Sequence, residues 1–427
     1  MSDQLVIYHC HSDLSNLTAG TSADCVTPFQ LYIDRAVELG MKAISISEHG
    51  NMAHWLKKQE YANEKGIKYI HGMESYITMT ADPEKTKRDN FHLGLYAKNL
   101  QGMKELLKLS SKSFNGRNRE KEEDDKHFYY NPRITMEELM NTSDNIIITT
   151  ACLGSPIWKL YKQANVIPSS LEESYKKKMA QKNLDNFIEF LVANKHRVFL
   201  EVQYHMHPEQ KEYNHLLLNI SREYDIPLIA GSDTHALNQD YADAREVFLR
   251  AKGASYGDED EFDLTFPSYQ EMYERFDAQG VFPSSVIKEA INNTVVFSDM
   301  IEEFEADRSI KYPRLHKDPK KTFKKLINEG FVKRGFNKLP KEEKQVYLDR
   351  IQEEYDTYVK TDAIDYMLLQ KDVTDWAHNN GIKTGVGRGS VTGSLIAFLL
   401  EITEMDSIKH NLNFFRFINP HRISLAD

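Results

Sequence analysis

Cysteine is scarce: Cys10, Cys25 and Cys152 are the only three in 427 residues. Three scattered thiols cannot build a disulfide framework, which excludes a stapled secreted scaffold and points to a reducing, cytoplasmic compartment. Long apolar runs are absent as well, and without about 18 consecutive apolar residues no membrane span is expected. The opening Met1-Ser2-Asp3-Gln4 has neither a basic region nor an apolar stretch, so no signal peptide is expected. There is no internal repeat and no low-complexity tract. Positive charge is not in excess: 54 Lys and Arg against 64 Asp and Glu leave a formal charge of −10. That balance argues against a general nucleic-acid coat protein. It leaves room for a nucleic-acid enzyme, because local basic surfaces and bound cations also attract phosphate.

What is present is ordinary in bulk and informative in pattern. Hydrophobic residues make up 41% and charged residues 28%, as in soluble globular proteins. The length exceeds what one core holds and implies two or three domains. Up to about residue 270, short apolar runs alternate with amphipathic stretches. Strands are expected at Leu5–Tyr8, Ala43–Ser47, Lys68–Ile70, Leu93–Tyr96, Ile146–Thr150, Val198–Val202 and Pro227–Ala230. Helices are expected at Pro28–Leu39, Leu100–Ser113, Leu171–Ala193 and Glu209–Tyr224. This alternation predicts an α/β domain with a mostly parallel sheet or barrel, whose chemistry sits in loops at the C-terminal strand ends. The charge run Arg117–His127 reads as a solvated loop. From about 253 the pattern changes to Lys317–Arg334, Lys341–Val359 and Ala363–Asn379, all helical in period, ending in a glycine-rich turn. The expected division is 1–270, a helical linker 271–360, and 361–427.

Metal-binding residue types recur at or just after the expected strands. They are His9 and His11, then His49, Glu74, His92, Cys152, Asp233 and His235. His9 and His11 are two apart, so on a strand both imidazoles face one point. Singly each has a bland reading: a packed histidine, a small buried thiol, a surface carboxylate. The second His-x-His, His205-Met206-His207, reads as loop polarity before a helix start. Jointly, the donors suit zinc, manganese or iron better than magnesium. They are too many for one tetrahedral ion and could serve two or three, an arrangement suited to phosphoester hydrolysis.

His9-Cys10-His11-Ser12, Ser47-Glu48-His49-Gly50-Asn51, Gly72-Met73-Glu74-Ser75-Tyr76 and Gly231-Ser232-Asp233-Thr234-His235 resemble motifs of the polymerase-and-histidinol-phosphatase (PHP) domain. The details look like the version in C-family bacterial replicative DNA polymerases, of the DNA polymerase III alpha type: His92-Leu93 through Asn99, and Ala151-Cys152-Leu153-Gly154. The resemblance implies a distorted (β/α)7 barrel with up to three metals, and the eight residues above as ligands. Two positions depart from it. Thr18 stands near the place of a usual Asp, which puts one metal in doubt. Glu48 replaces the usual Asp before His49, which puts the support of the ligands in doubt.

Gly385-Val386-Gly387-Arg388-Gly389-Ser390 has the physics of a phosphate cradle: glycines for close approach, a helix start behind them, and an arginine. It is not a Walker loop, since no Gly-Lys-Ser/Thr follows, and alone it reads as a helix–helix turn. With Asp365-Tyr366 before it and Phe415-Arg416-Phe417-Ile418-Asn419-Pro420-His421-Arg422 after it, the stretch resembles the first part of the C-family palm, a mixed α+β domain. Arg388, Gly389 and Ser390 would then contact the triphosphate. Asp427 matches the first acidic position of the family's catalytic motif.

The resemblance implies DNA-directed DNA synthesis in the full-length protein, with magnesium at the polymerase site, and primer-template and deoxynucleotide triphosphates as partners. A sliding clamp and other replisome proteins are further implied partners. The PHP site is expected to hold zinc or manganese and to hydrolyse phosphoesters, as a 3′-5′ exonuclease does. Because the chain stops at Asp427, it is expected to be inactive as a polymerase and to be a truncation or one piece of a split gene. A free-standing PHP phosphatase and a degenerate metal scaffold without catalysis are the alternatives.

Overall fold

The computed structural model describes residues 4–18, 23–79, 89–115, 127–254, 262–309 and 312–419. The chain divides into two compact units, Met1–Ala306 and Asp307–Asp427.

The strands of the first unit are β1 (Ala43–Ser45), β2 (Lys68–Ile70), β3 (Gly72–Thr78), β4 (Phe91–Ala97), β5 (Arg133–Thr135), β6 (Ile146–Thr149), β7 (Val198–Gln203) and β8 (Leu228–Gly231). Its helices are α1 (Phe29–Glu38), α2 (Trp55–Lys65), α3 (Leu100–Ser113), α4 (Met136–Met140), α5 (Pro156–Asn165), α6 (Leu171–Ala193), α7 (Pro208–Tyr224), α8 (Gln239–Ala251), α9 (Tyr269–Gln279) and α10 (Ser284–Asp299). Their starts are legible in local chemistry. Asn99 accepts from the Gln101 and Gly102 amides ahead of α3, and Ser268 and Glu271 form a reciprocal capping box at α9.

Among the described residues there are two sheets, β1-β2 and β5-β3-β4-β6-β7-β8. Single bridges join them into a distorted barrel: Ile7 to Ile44, Cys10 to Thr234, and His49 to Glu74. The run Leu5–Tyr8, expected as a strand, is an extended segment with these isolated bridges and no ladder of its own. It lies between β1 and β8, with the Ser45 amide donating to Ile7 O at 2.9 Å and the His11 amide to Thr234 O at 2.8 Å. The sheet is also less parallel than expected. Strand β3, absent from the sequence reading, pairs antiparallel with β4, and β4 pairs antiparallel with β6. Glu74 therefore stands inside a strand rather than after one.

Alternation along the strands separates two cores. Leu5, Ile7, Ile146, Ile148, Leu200, Leu228 and Ala230 face outward under the helices. Val6, Tyr8, Ile147, Phe199 and Ile229 face inward and meet Phe297 and Ile301. These last two come from α10 and the turn after it, and the backbone is tied to them: Val6 N donates to Thr294 Oγ1 at 3.0 Å, and Asn293 Nδ2 to Leu228 O at 2.7 Å. Helices α9 and α10 therefore belong to the first unit, whereas the sequence reading placed a linker from 271. Phe297 fills the barrel interior and no sequence period reveals that.

The second unit contains α11 (Pro319–Lys333), α12 (Lys341–Lys360), α13 (Ile364–Asn379) and the short α14 (Leu395–Leu399). Phe323, Ile327, Tyr358, Met367, Leu395 and Phe414 form its core. Helix α11 crosses α14 closely at Gly330, where a Cβ would stand 2.1 Å from Leu399 O. No strand of this unit is among the described residues. Residues 420–427, with Asp427, lie outside them.

Candidate metal centre

The eight expected ligands converge at one mouth of the barrel, around Glu74. His49 Nδ1 lies 2.6 Å from Glu74 Oε2, and His11 Nε2 lies 3.5 Å from the same oxygen. The other oxygen, Oε1, has His92 Nδ1 at 3.0 Å, and His9 Nε2 and Cys152 Sγ each at 3.6 Å. Asp233 Oδ1 is 3.2 Å from His9 Nε2, 3.3 Å from His11 Nε2 and 3.6 Å from His235 Nδ1. Both Asp233 (φ 46°) and Ala151, just before Cys152 (φ 54°), adopt the left-handed conformation uncommon outside glycine. Strain of this kind concentrates at functional sites.

Two residues of the centre were missed by the sequence reading. Asp24 reaches His49 Nε2 at 3.4 Å with Oδ2 and His235 Nε2 at 3.3 Å with Oδ1. Its backbone is pinned from both sides: Asn16 Oδ1 accepts from Asp24 N at 2.7 Å, and Arg245 Nε donates to Asp24 O at 2.5 Å. Sequence reasoning looked for a carboxylate at Thr18. Thr18 instead donates to the His49 carbonyl and accepts from Asn51 Nδ2 at 2.9 Å, holding the second motif in place. The second missed residue is Glu201, in the middle of the fully buried β7. His9 Nδ1 donates to Glu201 Oε1 at 2.5 Å, which leaves Nε2 facing the centre. A charge inside an apolar run was its signal, because such a charge is buried only when paired.

Gly231 is required by the same carboxylate, since a Cβ there would stand 2.1 Å from Glu201 Oε1. Glu48 lies behind the ligands rather than among them. It pairs with buried Lys58 at 2.6 Å and accepts from Ser12 N at 3.0 Å and Ser15 Oγ at 2.6 Å, while Ser15 Oγ accepts from the His49 amide at 3.2 Å. The extra methylene relative to Asp thus spans to Lys58 and the first-motif serines. His207 caps α7, its Nδ1 accepting from Glu209 N at 3.3 Å, and His205 is buried.

The donors form three overlapping groups within which ligand atoms lie no more than 4.8 Å apart: His11, Asp24, His49 and His235; His9, His11 and Glu74; and His49, Glu74 and His92. The fit to cations shows in what is left over. His9 Nε2, His11 Nε2, His49 Nδ1, Glu74 Oε2 and Asp233 Oδ1 are buried and satisfied by no well-formed hydrogen bond, although they crowd one another at 2.6–3.5 Å. Buried polar atoms are seldom left so, and five facing one another match a site built for positive ions. Electrostatics agree. Burial alone would raise the Glu74 carboxyl, yet His92 and His49 hold it well below the usual range. Burial opposes the charged form of His49, but Asp24 and Glu74 raise it to about 9. His11 is lowered to about 4 by burial and by the neighbouring His49 and His235. Burial and Glu74 push the Cys152 thiol well up. Cation binding at neutral pH would release the protons that His49 and Cys152 hold.

Arg388, Gly389 and Ser390 lie in the second unit on an exposed turn. Gly387 (φ 133°) and Gly389 (φ 74°) supply its positive-φ bends. The helix start behind the turn differs from the expected cradle. The Leu395 and Ile396 amides are already taken by the Glu354 carboxylate, at 2.8 and 2.9 Å, and the Ala397 amide by Ser394 Oγ at 3.0 Å.

Comparison with known proteins follows the division into units. Residues 8–205 match the PHP domain, and residues 321–427 match the bacterial DNA polymerase III alpha NTPase domain. The DNA polymerase III subunit alpha of Aquifex aeolicus is 32% identical over 455 residues, covering 100% of this chain and 36% of that protein. The corresponding subunit of Borreliella burgdorferi is 30% identical over 98% of this chain and 34% of its own length. That of Helicobacter pylori strain 26695 is also 30% identical, over 98% of this chain and 34% of its own length. The chain thus spans about a third of the length of these relatives. With a PHP match in the first unit, an alpha-subunit NTPase match in the second, and 30–32% identity to these relatives along 98–100% of its length, the chain belongs to the DNA polymerase III subunit alpha family.

Proposed function

We propose that the PHP centre is a metal-dependent phosphoesterase acting on nucleic-acid 3′ ends, within a protein whose full length performs DNA-directed DNA synthesis. The observation that carries this reading is the buried cluster of imidazole and carboxylate atoms that crowd one another at 2.6–3.5 Å without well-formed hydrogen bonds. His9, His11, His49, Glu74, His92, Cys152, Asp233 and His235, with Asp24, are the proposed ligands, and the mixed nitrogen, oxygen and sulfur set favours zinc or manganese. Ions held there would polarise a phosphoester and activate a water at neutral pH. The chain's own contribution is placement. Glu201 fixes the His9 tautomer, and Glu74 spans the histidines from its strand. The barrel mouth is largely closed to solvent, with His92, His49 and Asp233 its partly open edge.

For the second unit we propose that Arg388, Gly389 and Ser390 contact the triphosphate of an incoming nucleotide. Asp427 is the proposed first carboxylate of a magnesium site for polymerisation. Primer-template DNA and deoxynucleotide triphosphates are the proposed partners of the full protein, together with a sliding clamp and other replisome proteins, in the cytoplasm. Among the described residues no helix is long and apolar enough to cross a membrane.

Metal content and hydrolysis of a 3′-labelled DNA strand, measured on one preparation beside the His9→Ala/Asp233→Ala variant, test the first proposal. Two or more ions per chain and hydrolysis lost in the variant are expected. Bound metal with no hydrolysis by either protein would overturn it and leave a metal-holding scaffold.

A further inference from the structure

Helix α12 is the most charged helix of the second unit, and much of it is exposed. One face of it is not. Arg350, Glu354 and Tyr358 recur every fourth residue and so share a face. Glu354 and Tyr358 are fully buried. All three end on the chain that follows the glycine-rich turn. Glu354 accepts from the Leu395 and Ile396 amides and from Ser394 Oγ at 2.8 Å, and from Arg350 Nε at 2.7 Å. Tyr358 OH lies 2.8 Å from Ser394 Oγ. Arg350 Nη2 donates to Gly393 O at 3.0 Å and to Leu412 O at 3.2 Å. Gly393 leaves no slack, because a Cβ there would stand 2.6 Å from Asn413 O. On the other side of the turn, Glu404 N donates to Val386 O at 2.8 Å. The segment is therefore fixed at both ends, with Arg388, Gly389 and Ser390 exposed between the fixed points.

We infer that Glu354, supported by Arg350 and Tyr358, is a positioning residue for the triphosphate-binding turn, and that it keeps nucleotide phosphates off the head of α14. This rests on the nucleotide reading proposed above for Arg388–Ser390. The argument is one of occupancy and geometry. A buried carboxylate already satisfies the N–H groups that an anion would seek at that helix start, and a second negative group there would face it directly. An incoming phosphate is left with the Arg388 guanidinium and the backbone and hydroxyl of Gly389 and Ser390. Those groups keep a fixed spacing only while Ser394 and Gly393 are held.

The test uses inorganic triphosphate as the probe, titrated calorimetrically into the 427-residue chain and into three variants. Glu354→Gln keeps the volume but turns an amide donor toward backbone donors. Glu354→Asp keeps both acceptors one methylene short, and Tyr358→Phe removes one contact to Ser394. Thermal melts and metal content of the first unit report whether each variant is folded. Glu354→Gln is expected to weaken triphosphate binding about 10-fold or more, as small misplacements of binding groups do. Glu354→Asp should recover part of the loss, irrespective of the order of melting temperatures. Tighter binding in Glu354→Gln would show that the α14 start is the anion site and would overturn the inference. Binding within twofold of the unaltered chain, or affinity that simply follows melting temperature across the variants, would overturn it too. If the unaltered chain binds no triphosphate, the nucleotide reading itself fails, an outcome distinct from any failure of Glu354.

Discussion

Asp24→Asn tests the least expected member of the metal centre. The substitution keeps the shape and removes one charge that faces two imidazoles, at 3.4 Å from His49 and 3.3 Å from His235. At an effective dielectric of about 20, a full charge pair at this distance is worth about 5 kcal/mol. Breaking a buried pair by removing one partner costs about 3–5 kcal/mol, so the cation-free chain should lose about 3 kcal/mol of stability near neutral pH. The sign follows from His49. Its value of about 9, raised by Asp24 and Glu74 against burial, means that it is protonated at pH 7 and leans on Asp24 there. That contribution is complete below about pH 6.5 and disappears as pH rises through 9. The loss caused by Asp24→Asn should therefore shrink between pH 7 and 10.

With metal the same change removes an anionic ligand from the His11–Asp24–His49–His235 group. Affinity at that position should fall by at least the roughly 10–100-fold seen when a ligand merely loses its supporting partner. Elemental analysis after dialysis against a metal buffer should count one ion fewer per chain, and urea melts with and without chelator give the stability terms. An unchanged ion count, with affinity within twofold, would refute the reasoning and return Asp24 to a purely structural role.

Further outcomes follow from the same geometry. Glu201→Gln should free His9 to take the wrong tautomer and lower metal affinity about 10–100-fold, with the far-ultraviolet spectrum unchanged. Gly231→Ala drives a methyl to 2.1 Å from Glu201 Oε1, and should cost about 1–3 kcal/mol in urea unfolding; in a Glu201→Ala background, itself destabilised by the loss of the His9 partner, the same change should add little further cost. Metal binding at pH 7 should release protons, read as a dependence of the calorimetric heat on buffer ionisation, and affinity should rise from pH 6 towards 9 as His49 loses its proton. His71, packed among Trp55, Tyr69 and Phe304 without a hydrogen-bond partner, is held down to about 3 by burial and by Lys58. Below pH 6.5 the unfolded chain takes up a proton that folded His71 refuses. Stability should therefore fall by about 2 kcal/mol from pH 7 to 5, and His71→Phe should flatten that slope.

Much of this was legible because ligands and strands share a period. A histidine or carboxylate at the end of an apolar run singled out His9, His11, His49, Asp233 and His235, which the fold brings together, although the run before His9 forms no ladder of its own. The helices were legible from amphipathic period and caps. Strand β3 was not, because Gly72–Thr78 contains a glycine, a carboxylate and a serine, and its pairing partners lie elsewhere in the chain. Asp24 was hidden for a related reason: it sits in an irregular stretch, where no period says which side chain turns inward. The interior role of Phe297 depends on α10 closing the barrel, a tertiary event without a local signature. Glu354 looked like one more charge on a charged helix. Only the approach of Leu395 and Ile396 reveals its burial.

The seam of the barrel has a consequence for stability. The segment carrying His9 and His11 meets the chain just after β8 through a single bridge at Cys10 and Thr234, where a long strand would make a ladder. Ligands from both sides of that seam, His9 and His11 on one and Asp233 and His235 on the other, face the same point. A cation shared between them would be a cross-link, tying together two stretches more than two hundred residues apart in a chain with no disulfide to do so. By the chain-entropy argument used for disulfides, closing a loop of that size is worth about 5 kcal/mol. Chelation should accordingly act first as a reducing agent does on a secreted protein, loosening the join between the first segment and β8 while the ladder from β3 to β8 stays intact.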